Sequence, residues 1–197
     1  MFEGDKVKLE RMKKRLVLLV LLLMLVRAQV PVTLSPESFV EYDASDVNAT
    51  WTGRAPVSRL EFTLNPESLA DSSLTIAVNS GDFNSGNIFR DTNARRTVFE
   101  SSTYPEIIFV SKQIRADVDT LADGENRQVT LTGDLTMHGV TQELETVATV
   151  ALTGNTVTAT GSFEVNYTEF GMRQPTLFTV VVNPTVTLRF NVVGEMQ

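Results

Sequence analysis

A single histidine, His138, and no cysteine set narrow limits on the chemistry open to this 197-residue chain. Thiol catalysis and cysteine-ligated metals are excluded, and a Ser–His–Asp hydrolase would have to use His138. That residue lies on the polar parity of its segment, beside the turn-like "HGVT" of residues 138–141, and there is no G-x-S-x-G nucleophile motif. It reads as a solvated or turn-bonding histidine. One histidine also cannot build a several-histidine zinc site. The stretch "DVDTLADGEN", residues 117–126, fails as a calcium loop: Leu121 and Ala122 stand at the fifth and sixth positions, which call for an oxygen ligand and a glycine. Asp123-Gly124 reads instead as a hairpin turn. The other carboxylates occupy polar faces and turns, where solvation is the default. No enzyme, cofactor or metal is expected.

The remaining chemistry is cationic. In "GNIFRDTNARRTVFESSTYPEIIF", residues 86–109, Arg90, Arg95 and Arg96 are interleaved with Phe89, Val98, Phe99, Tyr104 and Phe109. A guanidinium suits phosphate and carboxylate through its forked donors. Two readings stay open. The arginines pair on the surface with Asp82, Asp91 or Glu100, or they form a cationic lip in front of an apolar interior. "DTNARRTVFES" predicts a short helix of about two turns, N-capped by Asp91 or Thr92, with Ala94/Val98 and Arg95/Phe99 at i,i+4. A lone short helix must dock on something apolar, and Val98 and Phe99 supply that contact.

Elsewhere the dominant period is two. Val129, Leu131, Leu135 and Met137 share one face and Thr130, Thr132, Asp134, Thr136 and His138 the other. Val157, Ala159, Gly161, Phe163, Val165 and Tyr167 alternate with Thr156, Thr158, Thr160, Ser162, Glu164 and Asn166. One parity from Phe178 to Val192 is apolar, and Leu60, Phe62 and Leu64 repeat the pattern earlier. Strands with one dry and one wet face, joined by turn signals, predict an antiparallel all-β barrel or sandwich. Gly133 and Gly161 on the apolar parity allow a sharp bend or leave interior space, and Pro184 predicts a break near Asn183.

These strands occupy residues 29–197, read as one domain. Residues 1–28 read as an export signal, with "KKR" at 13–15, an apolar run at 16–26 and cleavage after Ala28. Met12 opens a conventional signal by itself, so Met1 and Met12 are both candidate starts. Removing residues 1–28 takes seven of 17 basic and three of 24 acidic residues, leaving 10 against 21, a net charge of −11. That sign excludes nucleic acid as a partner and disfavours an anionic membrane for the body of the domain.

Taken in order, "FRDTNARRTVFESSTYPEIIF", "LTGDLTMHGVTQELETVATV", "FEVNYTEFGM" and "VTLRFNVVGE" resemble the YceI-like family of exported lipid-binding proteins. Gly133 to Thr136 with His138 to Thr141 is the stronger marker, and Tyr104-Pro105 with Ile108 and Phe109 is another. The resemblance covers most of residues 55–195. It implies an eight-stranded, lipocalin-like antiparallel β-barrel with one short helix, a periplasmic or secreted location, and a polyisoprenoid or other long-chain lipid in an elongated cavity. The expected lining is then Phe62, Phe83, Phe89, Phe99, Phe109, Leu135, Met137, Phe163, Tyr167 and Phe178. Arg90, Arg95 and Arg96 are the expected rim, with Ala159 and Gly161 leaving room inside. A homodimer is kept among the partners. The alternative is a filled barrel that acts through its outer surface, where Trp51 and Arg54 would matter most.

Overall fold

The computed structural model describes residues 29–177 and 180–197. The expected export signal and Phe178 lie outside them. Alternating strands close into one antiparallel barrel. In chain order they are β1 (Val30–Leu34), β2 (Phe39–Ser45), β3 (Thr50–Leu64), β4 (Ser73–Asn79), β5 (Glu106–Ala116), β6 (Asn126–Met137), β7 (Val140–Thr153), β8 (Thr156–Asn166) and β11 (Thr185–Met196). Two short strands, β9 (Thr176–Leu177) and β10 (Val180–Val181), form a separate hairpin. Neighbours pair in sequence from β3 to β8, and β8 pairs with β11 over Thr185–Asn166 to Glu195–Thr156.

The last place in the ring is shared. β1 bridges the far ends of β3 and β11, through Val32–Phe62 and Val32–Met196, while β2 bridges their near ends, through Tyr42–Gly53 and Tyr42–Leu188. β1 and β2 are thus one strand broken at residues 35–38, and the barrel has eight places. At the break, buried Ser38 donates its hydroxyl to Val193 O and accepts from Val193 N, both at 2.9 Å. A side chain stands in for the missing ladder rung. Among the described residues, closure leaves the barrel sheet without an open edge.

The period-two pattern is realised as inside and outside. Val129, Leu131, Leu135 and Met137 are all buried, as the alternation of β6 requires. The glycines do not leave space, contrary to expectation. A Cβ on Gly161 would lie 2.5 Å from the Phe190 ring and 2.7 Å from Val147 O, and one on Gly133 would lie 2.6 Å from the Phe109 ring. The rings lie across the glycines and fill what the missing side chains vacate. The predicted break at Pro184 is present, between β10 and β11.

Antiparallel alternation sorts the connections onto two ends. Residues 65–72, 117–125 and 154–155 close the floor. There Asp119 accepts from Ser68 Oγ and Ala70 N at 3.0 and 2.8 Å, and Leu69 and Leu121 are 2% exposed. The segment that fails as a calcium loop is thus floor structure, and its nine-residue span between β5 and β6 replaces the tight hairpin expected there. Residues 46–49, 80–105, 138–139, 167–177 and 180–184 gather at the other end.

Candidate functional site

At that second end the barrel opens. Inside is a cavity of about 740 Å³, lined from the floor residues Leu64 and Leu69 up to the loops around the mouth. Its size falls in the range of small-molecule sites, roughly 300–1,000 Å³. The interior is therefore not filled by side chains.

The segment at residues 80–105 builds one side of the mouth. Helix α1 (Ile88–Asn93) runs into one π-helical turn (Ala94–Val98). Its N-cap is Asn87, whose side-chain oxygen accepts from Phe89 N and Arg90 N, both at 3.1 Å. The cap expected at Asp91 or Thr92 is displaced by one turn, because Asp91 is needed elsewhere. Its buried carboxylate accepts from the backbone N–H of Ser85 at 3.1 Å and from the Ser85 hydroxyl, tying the helix to the preceding loop. Asn84 in turn exchanges two backbone hydrogen bonds with Arg54 of β3, each 2.9 Å. Under the helix, Phe83 and Phe99 stack at 5.4 Å, and Tyr42 lies 5.3 Å from Phe83. Burial, with Asp91 nearby, pushes the Tyr42 phenol above its usual range.

Phe62, Phe109, Leu135, Met137, Phe163 and Tyr167 line the barrel interior, and Phe83 and Phe99 line the cavity beneath the helix. Phe89 contributes only at the mouth, where it is 85% exposed. The expected arginine rim divides. Arg90 borders the mouth, with its guanidinium 4.9 Å over the Trp51 ring and its Nε donating to Ser85 Oγ at 2.8 Å. Arg95 does not line the cavity and donates to Gly81 O at 2.8 Å, while Arg96 is exposed and does not line the cavity either. Among the described residues none of the three joins an ion pair, so the pairing expected with Asp82, Asp91 or Glu100 is not made.

Sequence reasoning missed Tyr42, Trp51, Leu144, Thr146 and Met172, all in the lining. Leu144 and Thr146 carry a findable signal, since they share the inward parity of Ala148 and Val150. Met172 carries none, because the loop that brings it in has no period. Trp51, read as an outer-surface residue, faces the mouth instead.

Of the two readings of His138 the turn one holds, with its side chain 11% exposed. It heads the two-residue turn joining β6 and β7, with φ 51° there and 74° at Gly139, the left-handed pair of a type I′ hairpin. Its Nε2 lies 2.8 Å from Glu100 Oε2 and its ring 4.1 Å from that of Tyr104. The imidazole pins the loop of residues 100–105 and stands outside the cavity lining. Among the described residues no group of three histidine, aspartate or glutamate side chains could hold a metal.

The comparisons with known proteins agree with this architecture. Polyisoprenoid binding domain is the description of a Saccharophagus degradans structure that superposes with TM-score 0.68 at 17% identity, covering 86% of this chain and all of that one. Burkholderia cenocepacia BcnA superposes equally well, with TM-score 0.68 at 22% identity over 81% of this chain and 98% of that one. A UPF0312 protein of Vibrio parahaemolyticus is 29% identical over 96 residues, so the match spans only 47% of that relative and 48% of this chain. The description YceI-like domain matches residues 33–194, nearly all of the barrel, and the chain belongs to that family.

Proposed function

We propose that the chain is an exported binding or carrier protein for a long-chain hydrophobic ligand, such as a polyisoprenoid, a quinone tail or a fatty amide. The cavity of about 740 Å³ carries this reading. Its walls are mostly aliphatic and aromatic, Phe89 borders its mouth at 85% exposure, and the loops at that end also carry the exposed Val47 and Ile88. The mechanism is burial. Each CH₂ moved from water is worth about 0.8 kcal/mol, so a long chain binds tightly with no reacting group. The polyisoprenoid-binding description of the Saccharophagus relative supports the ligand class. Catalysis has no place in this mechanism, and the barrel of residues 29–197 works as one binding domain after an export signal at residues 1–28.

The deciding experiment is native mass spectrometry of the domain, purified from its own host without detergent, with mass analysis of the organic extract. A stoichiometric adduct of one lipid class is expected. A bare protein that also fails to take up added polyisoprenoids would sink the proposal. The same sample tests export, because its first residue is expected to be Gln29 and its compartment the periplasm or the medium.

A further inference from the structure

The three most exposed large apolar side chains among the described residues are Val47 and Phe89, at 85%, and Ile88, at 68%. All three stand on loops at the mouth. Val47 sits between the lining residues Asp46 and Asn48, and Ile88 between the lining residues Asn87 and Phe89. On a third loop the exposed Val181 sits between the lining residues Val180 and Val182. One exposed apolar residue needs no explanation. Several, on three loops around one apolar opening, mark a surface that meets something else.

Charge indicates what it meets. The mouth segments hold four of the ten basic residues of the barrel domain, Arg90, Arg95, Arg96 and Arg173, against five acidic ones, a net −1. The rest of the domain holds six basic and 16 acidic residues, a net −10. Each of the five mouth carboxylates is engaged by the protein itself. Asp46 accepts from Asn48 N and Ala49 N, Asp82 from Asn79, Asp91 from Ser85 and Glu169 from Asn166, while Glu100 meets His138. Among the described residues none of the four arginines joins an ion pair, and Arg95, Arg96 and Arg173 are exposed. The Debye length is about 10 Å at 0.1 M salt, so an approaching surface responds to the nearest end of the barrel more than to the net charge of the whole.

We propose that the mouth docks on an anionic phospholipid bilayer. Val47, Ile88 and Phe89 enter the headgroup boundary, and Arg95 and Arg96 meet lipid phosphates, which suit the guanidinium fork. The same bilayer repels the acidic walls and floor, so the domain lands mouth first. A hydrophobic ligand then passes between bilayer and cavity without crossing water. A second copy docked mouth to mouth would instead set arginine against arginine. The exchange route rests on the proposed binding function, whereas the docking itself does not.

The test is flotation of the domain of residues 29–197, a closed barrel with its own core, with vesicles of equal parts phosphatidylglycerol and phosphatidylcholine, and of phosphatidylcholine alone. Binding to the anionic vesicles is expected, weakening as salt rises. Arg96→Gln should lower it roughly fivefold, the worth of one cation at an anionic surface. Ile88→Ser should lower it roughly 5- to 10-fold through lost apolar burial. Neither residue lines the cavity, so both variants should still take up N-phenyl-1-naphthylamine in vesicle-free solution. The single tryptophan, Trp51, borders the mouth and reports orientation. Lipid brominated near the headgroup should quench it in the bound wild type. No binding to anionic vesicles at low salt overturns the docking, as does binding without quenching or binding that both variants retain in full. A concentration-dependent dimer that Ile88→Ser abolishes, with no vesicle binding, would give the surface to a second copy and also overturn it. Fluorophore uptake without vesicle binding would sink the docking alone. Vesicle binding by a protein that takes up neither fluorophore nor lipid would sink the binding function and leave the docking standing.

Discussion

Several residues in this barrel act by what they allow a neighbour to do. Gly161 is the clearest. Its strand partner Phe190 lies across it, and the ring forms part of the cavity wall. Gly161→Ala would place a methyl 2.7 Å from Val147 O, a backbone atom that cannot turn aside. We expect a loss of about 1–3 kcal/mol in denaturant unfolding, the usual cost of overpacking, and Phe190 pushed into the cavity. Unchanged stability would show that the sheet yields at this point. Inward parity by itself identifies most of the barrel lining, including Leu135, Met137 and Phe163. It does not reveal that a glycine on the same parity is roofed by a ring, because that contact spans β8 and β11. Nor does it separate Arg90 from Arg95 and Arg96. Within one short helix and its continuation, which cation reaches the mouth depends on where the cap falls. Asn87 sets that position, and nothing in its composition distinguishes it from the later candidates Asp91 and Thr92.

Elements are legible where they are periodic and obscure where a side chain finishes them. The strands from β6 to β8 follow directly from alternation. The break between β1 and β2 does not, because it is completed by the hydroxyl of Ser38 bonded both ways to Val193. Ser38→Ala keeps the shape but leaves the part-buried Val193 N–H without its acceptor, while Val193 O keeps its bond from Ser35 N. A cost of about 1–3 kcal/mol is expected, with faster amide exchange at Val193 than at its neighbours in β11. Uniform exchange along β11 would count against this role for Ser38. The helix is the opposite case. α1 has only six residues and little stability of its own. Asn87→Ala removes the acceptor for two helix N–H groups and should cost about 1 kcal/mol. That loss should appear as faster exchange at Phe89 and Arg90 while the barrel strands keep their protection. A loss shared equally by the strands would mean that the helix is an integral part of the barrel's cooperative unit.

At the scale of the molecule, alternation fixes that each sheet face is wet or dry but not that the sheet closes. Barrel and sandwich differ in which distant strands meet, and here the decision lies in β8 with β11 and in the shared place of β1 and β2. The seam at β2 is held outside the barrel by charge. Arg189 binds Asp43 and Glu41, and Arg54 binds Glu41 from the other side. The Arg189 hydrogen bond holds the Asp43 carboxyl below its ordinary value of 3.8. Burial alone would raise Glu41, but Arg54 and Arg189 outweigh it and hold that carboxyl below 4.5. Carboxylates depressed in the folded state stabilise it above their unfolded pKa, and that contribution is lost as pH falls through the folded one. The seam should therefore be intact at neutral pH and weaken below about pH 4. Arg189→Gln removes the guanidinium that binds Asp43 and one of the two that bind Glu41, so Tm of the variant should lie below that of the wild type at neutral pH. The two curves should converge as the pH drops through about 4 to 2. A gap that stays constant over that range would mean that Arg189 supports the seam by packing, and that charge plays no part in closing the barrel.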